Sequence, residues 1–327
     1  MPINRRALLG AGVLGASIAG TVGVSLLRDD PVTTPVRRAR SRLDGMAADP
    51  MRALLQDAAV IEALRRRGVR LDDIDRADLG GDPDDLDEGE YVFAALDSLL
   101  IEDGGSRTPL FTSPLVLQAR PATAQALADA GLTTAENGRA FVDAAALLAS
   151  TAPFALGDPE RSDTAYLLTA LTVALLGGDR TAPLLRPRLK PDDSFEAFMS
   201  VDPAAAPARV GSESEFPAWI AADSNRWSQL QASRPDAAPV TLYLRPTLYA
   251  TWTLYTLDAR ARPLAAALQT EELQELGRLR HGLRGPQRQS AAGESFQAAA
   301  RLPPPPTEVA PLPDSAVIRQ VIETLTD

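Results

Sequence analysis

"FALGDPERSDTAYLLTALTVALLGG", residues 154–178, passes from a short apolar run through a polar knot into a long helical pattern. An extended run that turns directly into a helix is the repeating unit of α/β folds, so this junction governs how the rest of the chain is read. Asp158 is expected to cap free backbone N–H groups, Pro159 suits the first helical position, Glu160 complements the dipole, and Gly177 ends the helix in a left-handed turn. A helix N-terminus also gathers unpaired N–H donors and partial positive charge, which receive a ligand's oxygen atoms. Arg161 and Ser162 stand at that mouth. Arg161 either clamps an oxyanion or carboxylate or pairs with Asp158 or Asp163, and the sequence leaves both open.

The same alternation recurs outward from this unit. Asp49 and Pro50 open a helix whose apolar positions Met51, Leu54, Leu55, Ala58, Ile61 and Leu64 follow helical spacing, and a strand-like "VRLDDI" (69–74) follows. The acidic, Gly/Pro-punctuated stretch 77–90 reads as a solvated loop. "YVFAALDSLLI" (91–101) reads as a strand buried on both faces, as parallel sheets require. "LFTSPLVLQA" (110–119) is another extended run, followed by a helix from Pro121 to Gly131 and one over 140–149. "AAPARVGSESEFPAWIAADS" (205–224) repeats the opening pattern. Ser212 and Glu215 have capping-box spacing, with Ser214 as the alternative cap. "APVTLYLRPTLYATWTLYTLD" (238–258) has strand character, "RPLAAALQTEELQELGRLRHGLRG" (262–285) reads as a helix, "LPPPPTEVAPLP" (302–313) as extended chain, and 314–325 as a short closing helix. Strands alternating with helices predict an α/β fold.

Composition excludes several functions. The 327 residues are 45% hydrophobic and 5% aromatic, with formal charge −10, and a chain of this length favours two lobes over one core. Such an acidic body does not suit nucleic acid. With no cysteine and one histidine, the chain builds no disulfide, thiolate metal site, lipid-anchoring cysteine or multi-histidine centre, and no cofactor is expected. The motifs GxSxG and HExxH and a P-loop are lacking, so no catalytic residue is assigned. Paired acids such as Asp72/Asp73 and Asp84/Asp85 read as solubilising, and His281 as support for a helix C-terminus.

Residues 1–27 suggest the compartment. Arg5 and Arg6 precede an uncharged segment from Ala7 to Leu27 long enough, as a helix, to span a bilayer core. "NRRALL" resembles a twin-arginine signal, and the segment is either cleaved or retained as an anchor. Both alternatives place the body outside the cytoplasm. Removing those two charges leaves −12 on the remainder, and 28–40 reads as a linker.

The segments "FTSPLVLQARPATAQALADAGL", "GDPERSDTAYLLTAL", "VGSESEFPAWI", "LYLRPTLYATWTLYTLDARARPLAAAL" and "ELQELGRLRHGLRG" occur in an order and spacing that resemble bacterial extracellular solute-binding proteins of the type II periplasmic fold. The resemblance covers residues 41–290 and rests on shared order. It implies two α/β lobes, 41–112 plus 243–290 and 113–242, joined by crossings at "TSPLVLQA" and "APVTLYLRP", with 291–327 as a proline-rich extension. It further implies a ligand held in the cleft and presented to a membrane partner such as an ABC transporter. The alternative is an accessory or sensory module of the same fold with a degenerate cleft. Four junctions would face that cleft: "GMAADP", the "LDS" that contains Asp97 and Ser98, "GDPERSD" and "GSESE". Carried over by position, the groups holding a small polar or anionic ligand are Ser98, Ser113, Arg161, Ser162, Ser212, Ser214 and Tyr249. Ala47 and Ala48 depart from the polar residues expected at the first junction.

Overall fold

The computed structural model describes residues 41–76, 90–94, 106–136, 139–190, 194–203, 205–286 and 306–326; the N-terminal apolar segment, the linker and Ser98 lie outside them. Strand β1 (Ser41–Ala47) buries Leu43, Gly45 and Ala47 on one side, the period of two that a strand imposes. One helix is expected after it, and two are found: α1 (Asp49–Gln56) and α2 (Ala58–Arg66). Asp57 separates them, its extended backbone ending the first and its side chain accepting the Ala59 N–H at 2.8 Å to start the second. A local cap thereby overrides a helical periodicity that runs unbroken through the sequence.

Strands β2 (Val69–Arg76) and β3 (Tyr91–Ala94) flank β1 in parallel, and β4 (Ser106–Ala119) is the longest strand described. Helix α3 (Pro121–Asp129) starts at its proline as expected. The helix expected over 140–149 is only half present. A hairpin of β5 (Thr133–Glu136) and β6 (Arg139–Asp143) comes first, and α4 (Ala144–Ala149) begins where Asp143 accepts the Ala146 N–H. Parallel pairing of β6 with a later strand buries Phe141 and Val142, so a tertiary partner decides their conformation.

Helix α5 (Asp163–Leu176) begins later than predicted. Asp158 closes a turn by accepting the Glu160 N–H, and Ser162 is the cap, accepting from Ala165 N at 3.3 Å. Gly177, at φ +84°, ends the helix as the sequence indicates. The chain continues through α6 (Gly178–Leu185), α7 (Phe195–Ser200), β7 (Ala208–Ser212), α8 (Glu215–Ala222) and α9 (Ser224–Ser233). Strands β8 (Val240–Arg245) and β9 (Tyr249–Thr256) come next. The expected single helix over 262–285 divides into α10 (Arg262–Leu268) and α11 (Glu271–His281), and α12 (Ser315–Thr326) closes the described chain.

The sheet order is β2-β1-β3-β9-β4-β8-β6-β5, with β7 also on β4. β3 therefore lies between a parallel and an antiparallel neighbour, in a mixed rather than purely parallel sheet. β4 is the common member. Residues 106–114 pair with β9, residues 116–119 pair with β8, and residues 115–119 pair with β7 on the opposite edge. The segment after α11 joins that edge, because Thr112 and Arg284 exchange backbone hydrogen bonds of 2.8 and 3.0 Å. The C-terminal segment lies over the β8–β9 turn, where Thr247 donates to Glu308 O and accepts from Ala310 N. Helix α12 buries Ile318, Val321, Ile322 and Leu325 as it packs on α5 and α6. Among the described residues, no helix is long and apolar enough to cross a membrane.

Candidate functional site

The turn from β7 into α8, "GSESE", lies at the middle of the sheet against β4. Ser212 pairs with Leu115, and Glu213 N donates to Pro114 O at 3.0 Å. This register brings Ser113, Ser212 and Ser214 together, three of the residues predicted for a ligand. Ser113 Oγ accepts from Ser214 N at 3.1 Å, and Ser212 and Ser214 share a hydroxyl hydrogen bond of 2.8 Å. Glu215 Oε1 accepts from Ser212 N at 3.2 Å, which is the reciprocal half of a capping box, although the cap position itself falls to Ser214. All three serines are buried. Each hydroxyl thus has a hydrogen-bond partner within the protein, as buried polar groups require.

Glu213 points into the same region and meets Arg284. Nε donates to Oε2 and Nη2 to Oε1, both at 2.7 Å, while the Tyr243 hydroxyl donates to Oε1. Arg284 is 0% exposed, so this fork-to-fork pair is fully withdrawn from water. Burial alone would lower the Arg284 pKa, but the Glu213 carboxylate holds it above the ordinary arginine value. Burial, reinforced by the same carboxylate, drives the Tyr243 hydroxyl well above the usual tyrosine range. Arg284 therefore stays a cation and Tyr243 a neutral donor. Their sequence positions explain what they connect: Tyr243 lies on β8, Glu213 follows β7, and Arg284 follows α11. Gly282 permits the approach. Its φ is +63°, and an added Cβ would lie 2.7 Å from Pro217 of α8, so α11 ends directly against the start of α8.

A second buried pair supports the turn from β7. Arg209 Nη1 donates to Gln118 Oε1 at 2.7 Å and contacts Glu215. Gly211 accommodates this cluster, because a Cβ there would lie 2.5 Å from Arg209 Nη1 and 2.6 Å from Glu215 Oε2.

Of the other predicted residues, Tyr249 lies beside this cluster, since it pairs with Pro114 on β4, while Arg161 and Ser162 stand at the start of α5. Arg161 is exposed, with no ion pair to Asp158 or Asp163 among the described residues, and Ser162 caps α5 while its hydroxyl lies 3.1 Å from Thr164 Oγ1. Tyr249 is buried, and its hydroxyl donates to Pro306 O at 2.7 Å. Ser98 is outside the described residues. At the first junction, Ala48 precedes α1 without a side-chain cap and its N–H donates to Phe93 O at 2.9 Å. Among the described residues no group of three or more His, Asp or Glu is placed to hold a metal ion. His281 ends α11, as read from the sequence, and its Nε2 lies 3.1 Å from Asp57 Oδ2.

Sequence reasoning does not find Arg284, Glu213 and Tyr243 as a unit. They are 71 and 30 residues apart along the chain. The one available signal is an arginine and two glycines in "GLRG" after a helix, and it indicates a helix end rather than a partner.

Neither a family model nor a curated protein sequence matches the chain. Solved structures do. The periplasmic binding protein P5PA is similar with a TM-score of 0.56 at 14% identity, over 88% of this chain and 99% of that one. Apo ferric ion-binding protein A of Pasteurella haemolytica is similar with a TM-score of 0.53 at 12% identity, over 87% and 96%. A two-component system protein that mediates signal transduction gives 0.53 at 12%, over 87% and 100%. The chain has the fold of the type II periplasmic binding proteins, as its segment order implied.

Proposed function

We propose that the chain is an extracytoplasmic module of this fold that serves a membrane complex as an accessory or sensory component, and does not open and close to deliver a solute. Its lobes are residues 41–112 with 243–290, and 113–242. The change of partners along β4 near residue 114 supports that division. One observation carries the functional reading: the β7–α8 turn, where a ligand would be held, is occupied by the protein's own Arg284 guanidinium on Glu213. Opening the lobes would pull this pair into separate halves and strand two buried charges. The export reading rests on the arginine-led apolar segment at residues 1–27, cleaved or retained. No catalytic role is assigned.

A carrier that delivers a small polar or anionic ligand to a transporter is the second reading, and Arg161, exposed beside Ser162 with no carboxylate partner among the described residues, favours it. One experiment separates the two. The chain has no cysteine, so Arg65→Cys on α2 and Asp129→Cys on α3 accept spin labels cleanly on opposite lobes. A single distance distribution that millimolar phosphate, citrate and sugar phosphates leave unchanged is expected. Shortening with any of them, with a thermal stabilisation that Arg161→Ala removes, would replace the accessory reading with the carrier.

A further inference from the structure

Away from the β7–α8 turn, a groove of about 890 Å³ opens beside the N-terminal end of β7. Its floor follows from isolated strand-like pairing. Ala155 pairs with Arg209 and Leu156 with Leu189, both in parallel. Paired residues share a face and neighbours alternate, so Leu156 and Leu189 point one way while Ala155, Arg188, Lys190 and Arg209 point the other. The latter four line the groove and the two leucines do not. Ala155 leaves the floor open between the cations. The walls are mostly apolar and include Pro183 and Leu184 of α6, Phe198 of α7 and Val201.

The charges on this floor are unequal in their partners. Arg209 is answered by Glu215. Arg188 stacks on Phe154 at 4.4 Å and donates to the carbonyls of Leu184 and Ser150, with no carboxylate partner among the described residues. Lys190, the only lysine in the chain, is exposed and likewise has no carboxylate partner among them. Among the described residues, those lining the groove include three basic side chains and no acidic one, in a protein of net charge −10. An apolar trough of this size with cations at its floor fits a ligand with a hydrocarbon body and one negative head.

We propose that this groove binds a single-chain anionic amphiphile of the fatty-carboxylate class, with its carboxylate between Lys190 and Arg188 and its chain along the Pro183–Leu184 and Phe198–Val201 walls. The groove shares Arg209 with the turn from β7, but the carboxylate position between Lys190 and Arg188 does not use it, so the proposal stands whichever reading of that turn holds.

The test titrates the full chain with octanoate, decanoate and dodecanoate, and with dodecanol as the uncharged control. Each added methylene that becomes buried is expected to tighten binding about fourfold, and dodecanol is expected to bind at least about tenfold more weakly than dodecanoate. Lys190→Glu should weaken dodecanoate by about tenfold, and Ala155→Phe should block it by filling the floor. Because Lys190 is the sole lysine, peptide-resolved amine labelling of the unaltered chain reports the site without any substitution; dodecanoate should slow its modification. Absence of dodecanoate binding overturns the proposal. So does binding that leaves Lys190 labelling and the Lys190→Glu affinity unchanged, because the ligand then sits elsewhere. Equal affinity for dodecanol overturns the anionic head.

Discussion

Replacing Arg284 by methionine keeps most of its length and apolar contact but removes both hydrogen bonds to Glu213, each 2.7 Å long. Charge-assisted hydrogen bonds contribute about 1.5–3 kcal/mol each, so two of them bound the loss at about 3–6 kcal/mol. Breaking a buried pair from one side costs about 3–5 kcal/mol by a separate route, and the two figures agree. The abandoned Glu213 would retain the Tyr243 hydroxyl as its partner within a buried site, which recovers part of the loss. A value of about 4 kcal/mol is therefore expected. Urea unfolding of Arg284→Met, of Glu213→Gln and of the double variant measures it. The double variant should be less destabilised than the sum of the singles by about 2 kcal/mol or more, because the second substitution removes the charge that the first leaves stranded. A single-variant loss under about 1 kcal/mol, or strict additivity, would refute the view that this pair holds the turn from β7 to the segment after α11.

Two further expectations concern pH and the C-terminus. Burial, the dominant influence, lowers the His281 pKa below 6.5 although Asp57 pulls it upward. Its neutral form is therefore the one favoured by folding: the contribution is complete above about pH 6.5 and is lost as pH falls through the depressed folded value. Asp57 adds to the loss at lower pH, since Arg280 and the Ala59 N–H hold its carboxyl below its ordinary 3.8 despite burial. The urea midpoint should fall as pH drops below about 6.5, and His281→Gln should flatten that decline; a midpoint that rises on acidification would contradict the assignment. Deleting residues 314–327 removes Ile318, Val321, Ile322 and Leu325 from α5 and α6. At about 1.5 kcal/mol or more for each side chain, the truncated chain should lose at least about 5 kcal/mol and bind apolar dyes. An unchanged melting temperature would show that α12 is not integral to the fold.

How much of this the sequence discloses depends on the range of the interaction. Pro121 opening α3 and Gly177 closing α5 are legible because proline and a positive-φ glycine act through their own backbones. The order of the segments resembles the solute-binding proteins, and the structure has that fold. The helix expected over 140–149 is not legible as half strand, because Phe141 and Val142 are fixed by β8, a hundred residues on. The single helix expected from Met51 to Leu64 is divided by Asp57, whose cap competes locally with a strong periodicity. At the candidate site, Ser113, Ser212 and Ser214, three of the positions carried over from the resemblance, lie together. What occupies the space around them could not be read, since Arg284 arrives from a segment whose letters indicate only the end of a helix. Glu213, to which its neighbours in sequence assign no role, finds one in a cation far along the chain.

The strand β4 also sets an order of events. Ser106 bonds to Thr256, 150 residues later, and Thr112 waits for Arg284, so neither edge of the central strand is complete until nearly the whole chain exists. Contacts of such separation carry a large loop-closure cost before they return any stabilisation, which slows folding. A ribosome that has produced residues up to 240 holds a chain with β4, β6 and β7 but without β8, which joins β6 to β4, or β9, which joins β4 to β3. For this protein, acquiring the native sheet is an event that follows synthesis.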